Sequence, residues 1–376
     1  MENKYRILTL NLGSTSTKVA LFENEEKVFD GHASHDPKVL EKYSNVMEQF
    51  DYRVETIRAE LEKNHVDLGN LSAVVGRCGG TGGIASGTYE VNELLLRSLR
   101  EGKAHKPHTA DLGGLIADAF AKEYGTKAYI VNSPETDELI DEARITGLKG
   151  LYRFSSVHAL NQKEMGIRYG KKTGVPYEKL NLVIAHIGGG VSITAHCQGK
   201  MIDSNNIISG DGPMAPTRSG ALPAVDLIKM CFSGKYTEQE LMERVNMTGG
   251  LIDHLGTNDV LEIQKMIKNG DRYAKLIYDT MIYQIGKYIG SMASALNGKV
   301  DAIILTGGIS HDKYLVDKIT EMNSYIAPVI VQAGEFEMEA LAAGAYRVLT
   351  GEEVAKEYTG IPVWNGFEDI LATHME

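Results

Sequence analysis

The chain has 376 residues, 43% of them hydrophobic and 24% charged, and its 39 lysines and arginines stand against 50 acidic residues for a net charge of −11. That length suits two domains, and the acidic balance argues against a nucleic-acid or anionic-membrane surface. Cys78, Cys197 and Cys231 form no C-x-x-C pair, which argues against a disulfide framework or a cysteine zinc site and favours a cytoplasmic location.

No apolar run approaches the ~20 residues of a membrane span. Residues 5–11 and 17–22 predict a β-hairpin, with a third strand at Lys27–Ala33. From Ser44 to Asn64, Met47, Phe50, Val54, Ile57 and Leu61 recur at spacings of three and four, the mark of an amphipathic helix. Ala73–Gly76 reads as a short buried strand running into the glycine-rich loop Gly79–Gly87. Asp111–Tyr124 predicts a helix with Leu112, Leu115, Ile116, Ala119 and Phe120 on one face and Asp111 as its cap. Lys127–Asn132 is a strand. The theme then repeats, with a hairpin over 181–197, a strand at Lys200–Asp203, and mostly helix beyond. Asp271–Leu296 is apolar nearly all round and predicts a central buried helix. Strands at Ala302–Thr306 and Pro328–Gln332 and a helix at Glu337–Thr350 complete the pattern. Alternation of this kind is the α/β class. The polar residues 355–376 are expected to pack back on the first half.

Two turns carry the chemistry. Ile7–Leu21 and Leu182–Ala195 are both strand, small-residue turn and strand, about half a chain apart. Glycines let the backbone approach a ligand, and successive N–H groups around such a turn form a cradle for phosphate oxygens. Hydroxyls of Ser14, Thr15 and Ser16 can donate to phosphate without adding charge, while Lys18 reads as solvated. His186 sits at the strand end before Gly188, Gly189 and Gly190. Arg77 and Arg218 each lie in a glycine-bounded loop, where a guanidinium suits a reaction that brings two anions together. Gly210-Asp-Gly-Pro-Met-Ala215 fits G-x-G-x-x-A but contains Pro213 and lacks a βαβ context, so it is no dinucleotide fingerprint. No G-x-x-x-x-G-K-[ST] occurs. The pair in His105-Lys-Pro-His108 reads as a loop and not as a metal site.

Asn11-Leu-Gly-Ser-Thr-Ser-Thr-Lys18, His186-Ile-Gly-Gly-Gly-Val-Ser192, Gly210-Asp-Gly-Pro-Met-Ala-Pro-Thr-Arg-Ser-Gly220 and Thr306-Gly-Gly-Ile-Ser310 resemble the acetate kinase/butyrate kinase family, in order along essentially the whole chain. His158-Ala-Leu-Asn-Gln162 after Arg153-Phe-Ser-Ser, and the Gly-Asp-Gly-Pro loop, make the likeness closest to the butyrate and branched-chain fatty acid kinases. The resemblance implies two actin-like ATPase (ribonuclease H-like) domains with an interdomain cleft. Residues 1–152 would form the first and 153–354 the nucleotide-binding second. It implies reversible transfer of phosphate from ATP to a short-chain carboxylic acid, giving an acyl phosphate and ADP, with Mg²⁺. The partners are then small molecules, with no nucleic acid or membrane, and the assembly is a homo-oligomer, a dimer or a multiple of dimers. An acetate or propionate kinase, or a weakly catalytic actin-like nucleotide switch, are the alternatives.

By the same resemblance, Asn11, Arg77, Asp137, His158 and Arg218 are catalytic. Gly13–Ser16, His186, Gly188–Gly190 and Gly307, Gly308 and Ile309 bind nucleotide, and Glu337 and Asp137 serve the metal. Glu339 is a competing register for Glu337. Asn132 stands where many butyrate kinases have a second aspartate. Val157 stands where the family commonly has phenylalanine, and the loop Cys78–Gly87 is richer in glycine than usual. Both point to altered acyl-chain specificity.

Overall fold

The computed structural model describes residues 4–102, 108–368 and 370–371; His105 to Pro107 of the histidine pair's loop, and the end of the chain beyond residue 371, lie outside them. The chain divides into two compact units, one of Met1–Asp137 with Phe336–Glu376, the other Glu138–Glu335. The expected boundaries, after residues 152 and 354, differ from these. In the first unit the helix Glu337–Thr350 packs on the sheet through Met338, Ala340, Leu341, Ala342 and Ala345, all buried.

The strands, in chain order, are β1 (Arg6–Leu12), β2 (Ser16–Glu23), β3 (Glu26–Ser34), β4 (Ala73–Gly76), β5 (Thr88–Glu90), β6 (Lys127–Val131), β7 (Asn181–Ile187), β8 (Val191–Cys197), β9 (Lys200–Ser204), β10 (Ala302–Gly307), β11 (Val329–Ala333) and β12 (Lys356–Glu357). The first unit's sheet runs β12-β5-β6-β4-β1-β2-β3 and the second unit's runs β11-β10-β7-β8-β9. Within each, the first strand pairs antiparallel with the next, which pairs antiparallel with a third, while parallel strands lie on its other side. The orders β6-β4-β1-β2-β3 and β11-β10-β7-β8-β9 are therefore the same, and the repeated hairpin belongs to a repeated fold.

β1, β4, β7 and β10 are buried on both faces, as expected of strands covered by helices above and below. Their exits are where backbone turns meet side chains from neighbouring elements. The long helix Arg272–Ala295 buries Ile277, Met281, Ile282, Ile285 and Ile289, but Leu276 is 60% exposed and Tyr283 56%. It is thus a one-sided helix and not the wholly buried one its composition suggested. Tyrosines there place an aromatic body on the surface with a polar tip in water. Among the described residues, no helix is long and apolar enough to cross a membrane.

Candidate active site

In the first unit the site grows from the end of β1. Register pairs Asn11 with Lys18 and Leu12 with Thr17, which leaves Gly13, Ser14 and Thr15 as the turn into Ser16, and Gly13 N donates to Ser16 O at 2.8 Å. Ser14 and Thr15 are exposed. Asn11 Nδ2 donates to Glu337 Oε2 at 2.6 Å, and Arg77 Nε donates to Glu337 Oε1 at 3.1 Å. One carboxylate from the first turn of a helix thus joins the exits of β1 and β4. Glu339 instead pairs with Lys27 at 3.1 Å, so Glu337 is the glutamate that meets Asn11 and Arg77. Arg77 is held from behind by glycine: a Cβ on Gly113 would collide with the Arg77 carbonyl, so the helix Leu112–Glu123 starts directly against that backbone.

Asp137 is buried, with its N–H bonded to Ile84 O at 2.8 Å and its carboxylate beside Gly83. It therefore borders the glycine-rich loop. Asn132 lies in the left-handed region at φ 39°, and its Oδ1 accepts from Gly87 N at 2.7 Å. Glu135 was not singled out by the sequence. Its carboxylate accepts from Ser133 Oγ at 2.6 Å and from Thr81 Oγ1 at 3.2 Å.

In the second unit His158 immediately precedes the helix Ala159–Thr173 and His186 is the last residue but one of β7. Their rings stack with centroids 3.9 Å apart at 14°. His186 Nδ1 meets Asn161 Oδ1 at 3.1 Å, and its Nε2 lies beside Gly188. His158 Nδ1 meets Ser192 Oγ at 2.8 Å. Behind Ser192, Gln162 Nε2 donates to its Oγ at 2.7 Å, Gln162 Oε1 meets His196 Nε2 at 3.0 Å, and His196 Nδ1 meets Tyr177 Oη at 2.6 Å. Burial pushes the Tyr177 phenol well up and the His196 imidazole well down, so Tyr177 donates and His196 is neutral. The chain of donors runs Tyr177, His196, Gln162, Ser192, and directs the serine proton toward His158 Nδ1.

Arg218 packs on the β7–β8 turn, where a Cβ on Gly190 would collide with its Nη1. Its Nε and Nη1 are buried and, among the described residues, have no partner, and burial pulls its pKa below the ordinary guanidinium value. Gly189 O is held by Thr217 N and Oγ1 at 3.3 and 3.1 Å. Gly307 has φ 88°, and a Cβ there would collide with Ile187 O, so β10 ends against β7; Gly308 faces open space, and Ile309 packs on the core.

Sequence reasoning missed Ser192, Gln162 and Arg53. Arg53 lies 0% exposed in the helix Phe50–Lys63, on the stripe Gln49, Arg53, Ile57, Leu61. An arginine four residues before Ile57 on an apolar stripe was the available signal.

The model of the family described as "Acetokinase family" matches residues 151–325. The chain is 47% identical to butyrate kinase 2 of Clostridium acetobutylicum, across 94% of this chain and 99% of that one. It is 43% identical to butyrate kinase 1 of the same organism over the same shares. Among solved structures, acetate kinase of Porphyromonas gingivalis superposes at a TM-score of 0.77 with 21% identity, covering 92% of this chain and 100% of that one. A propionate kinase of Francisella tularensis gives 0.71 with 21% identity, over 90% and 98%. These superpositions agree with two sheets of the actin-like ATPase type. Relatives this similar span nearly the whole chain, and the protein belongs to the acetokinase family and is a kinase.

Proposed function

We propose that this protein transfers the terminal phosphoryl group of ATP to a short-chain carboxylic acid, with butyrate or a branched short-chain acid as the favoured acceptor. The observation that carries this reading is Arg218, a half-buried arginine whose Nε and Nη1 are buried and, among the described residues, have no partner, beside a glycine turn. A buried cation without a counter-ion is costly, and a bound anion removes the cost. Relatives named butyrate kinase support the choice of acid.

An ionised carboxylate is already a nucleophile, so the reaction needs no covalent enzyme intermediate, only alignment and neutralised charge. Arg77 and Arg218 offset the two anions. Asn11, His158 and His186 donate to the phosphoryl group, with His158 oriented through Ser192. Gly13–Ser16 and Gly188–Gly190 bind phosphates, and Gly307, Gly308 and Ile309 bind the adenosine end. Glu337 and Asp137 offer hard oxygens, and Asn11 and Arg77 orient the Glu337 carboxylate. Carboxylate oxygens suit Mg²⁺; Glu337 and Asp137 would hold it, and it would offset phosphate charge. The small side chain of Val157, buried with Ala159 and Met201, suits an acid longer than acetate. The same reading carries a homo-oligomer, a dimer or a multiple of dimers, working in the cytoplasm.

The test is acyl phosphate formation with acids of two to six carbons. The highest kcat/KM is expected at four or five carbons, and no turnover with any acid would overturn the reading. Arg218→Ala is expected to lower kcat by about 10³-fold or more while ADP binding, measured by calorimetry, persists.

A further inference from the structure

The turn Gly13–Ser16 has an unusual back side. Arg53 Nη1 donates to Gly13 O at 2.9 Å, to Ser16 O at 3.3 Å and to Thr17 Oγ1 at 3.1 Å. Its Nη2 donates to Ser14 O at 3.1 Å, and Gln49 Oε1 takes Nη2 at 3.0 Å and Nε at 3.3 Å. The remaining turn carbonyl, Thr15 O, accepts from His35 N at 2.9 Å. Every carbonyl from Gly13 to Ser16 is therefore bonded away from the turn's outer surface. Among the described residues, the N–H groups of Ser14 and Thr15 and the hydroxyls of Ser14, Thr15 and Ser16 have no protein partner.

The guanidinium itself is fully buried, and its partners are all neutral. A buried arginine normally sits with a carboxylate. Here a rigid planar fork of donors is spent on three backbone oxygens of one turn, the Thr17 hydroxyl and the Gln49 amide oxygen, and the positive charge is left uncancelled behind it. Both effects favour an anion on the front: carbonyl dipoles are turned away and a cation stands at the rear.

We infer that Arg53 is a positioning residue for phosphoryl transfer, fixing the β1–β2 turn with its N–H groups and hydroxyls presented to the phosphate. This rests on the reading of Gly13–Ser16 as a phosphate-binding turn. Arg53 touches no substrate and acts through the turn alone. Lysine cannot substitute, because one ammonium cannot span the carbonyls of residues 13, 14 and 16.

The experiment is a double-mutant cycle on the full chain using Arg53→Lys and Ser14→Ala, with kcat, both KM values and the thermal midpoint measured for each. Ser14→Ala alone tests the turn, and an unchanged kcat there removes the phosphate-turn reading. Given a loss in Ser14→Ala, Arg53→Lys is expected to lower kcat by at least about tenfold, with the carboxylate KM within about twofold. The double variant is expected to lose less than the product of the two single losses, because both act through one turn. A destabilised fold that acted only by lowering the folded fraction would give a multiplicative loss and leave the ratio of KM values unmoved. Arg53→Gln, which keeps the bond-forming end short and neutral, serves if Arg53→Lys fails to fold. Wild-type kcat in a folded Arg53 variant, or strict multiplicativity with Ser14→Ala, overturns the inference.

Discussion

A carboxylate gripped on one oxygen by an arginine and on the other by an asparagine is held in a single orientation, and Glu337 is held so by Arg77 and Asn11. Two residues further on, Glu339 reaches a half-exposed lysine, an arrangement worth little at a surface. The two glutamates make a matched pair of probes. Glu337→Gln is expected to lower kcat by about 10–100-fold and raise the Mg²⁺ concentration needed for half-maximal rate. Glu339→Gln is expected to stay within about twofold of wild type. Steady-state rates across a Mg²⁺ series check both, and equal losses in the two variants would remove the distinction. The sequence could not choose between these registers because both glutamates lie in the first turn of one helix. Only the β1 and β4 exits decide between them.

At the level of elements, the region behind the β1–β2 turn predicts a pH response. His35 Nε2 meets Thr17 Oγ1 at 2.8 Å and Nδ1 meets Tyr52 Oη at 2.9 Å. Burial first, then the charges of Arg53 and His32, pull its pKa down to about 4. Folding therefore favours the neutral ring. The contribution is fully present above the ordinary value near 6.5 and is lost as pH falls from there towards about 4, since the unfolded chain binds the extra proton. Urea midpoints at pH 7.5, 6 and 5 are expected to fall more steeply for wild type than for His35→Asn; parallel slopes would discount His35. The hairpins and the Glu337–Thr350 helix were legible because strand runs and helical spacing repeat over many residues. β5 and the helix Glu93–Glu101 were not. The strand is three residues long, with no period to read, although Asn92 capping Leu95 N at 2.9 Å marks the helix start. Arg53 was hidden because a charged residue on a helix is ordinarily assigned to the solvent face.

For the molecule as a whole, the repeated strand order explains why two similar turns exist, and the return of the segment after Glu335 to the first unit explains why the division differs from the one expected. A helical pattern shows that a helix forms but not which sheet will bury it; for Glu337–Thr350 the answer lies in Gly344, where an added Cβ would press on Val131 and Thr88. The chain beyond continues on that sheet. Glu353 Oε1 accepts from Thr88 N at 2.6 Å, Tyr358 Oη donates to Thr81 O at 3.1 Å, and Val363 N donates to Gly83 O at 2.8 Å. A chain ending at Gly351 is expected to lose on the order of 3 kcal/mol from these bonds, read as a lower denaturation midpoint. An unchanged midpoint would show that residues beyond 351 contribute nothing to stability.

The interrupted layout of the first unit also has a consequence during synthesis. Residues 138–335 form a contiguous compact unit and can close as soon as they leave the ribosome. The earlier-made β1, β4 and β6 must wait about 10–40 s, at ~5–20 residues per second, for the alanine-rich helix that covers them. Throughout that interval one greasy face of the sheet is bare and Arg77 has no glutamate, so newborn copies need shelter from one another until Glu337–Thr350 has emerged.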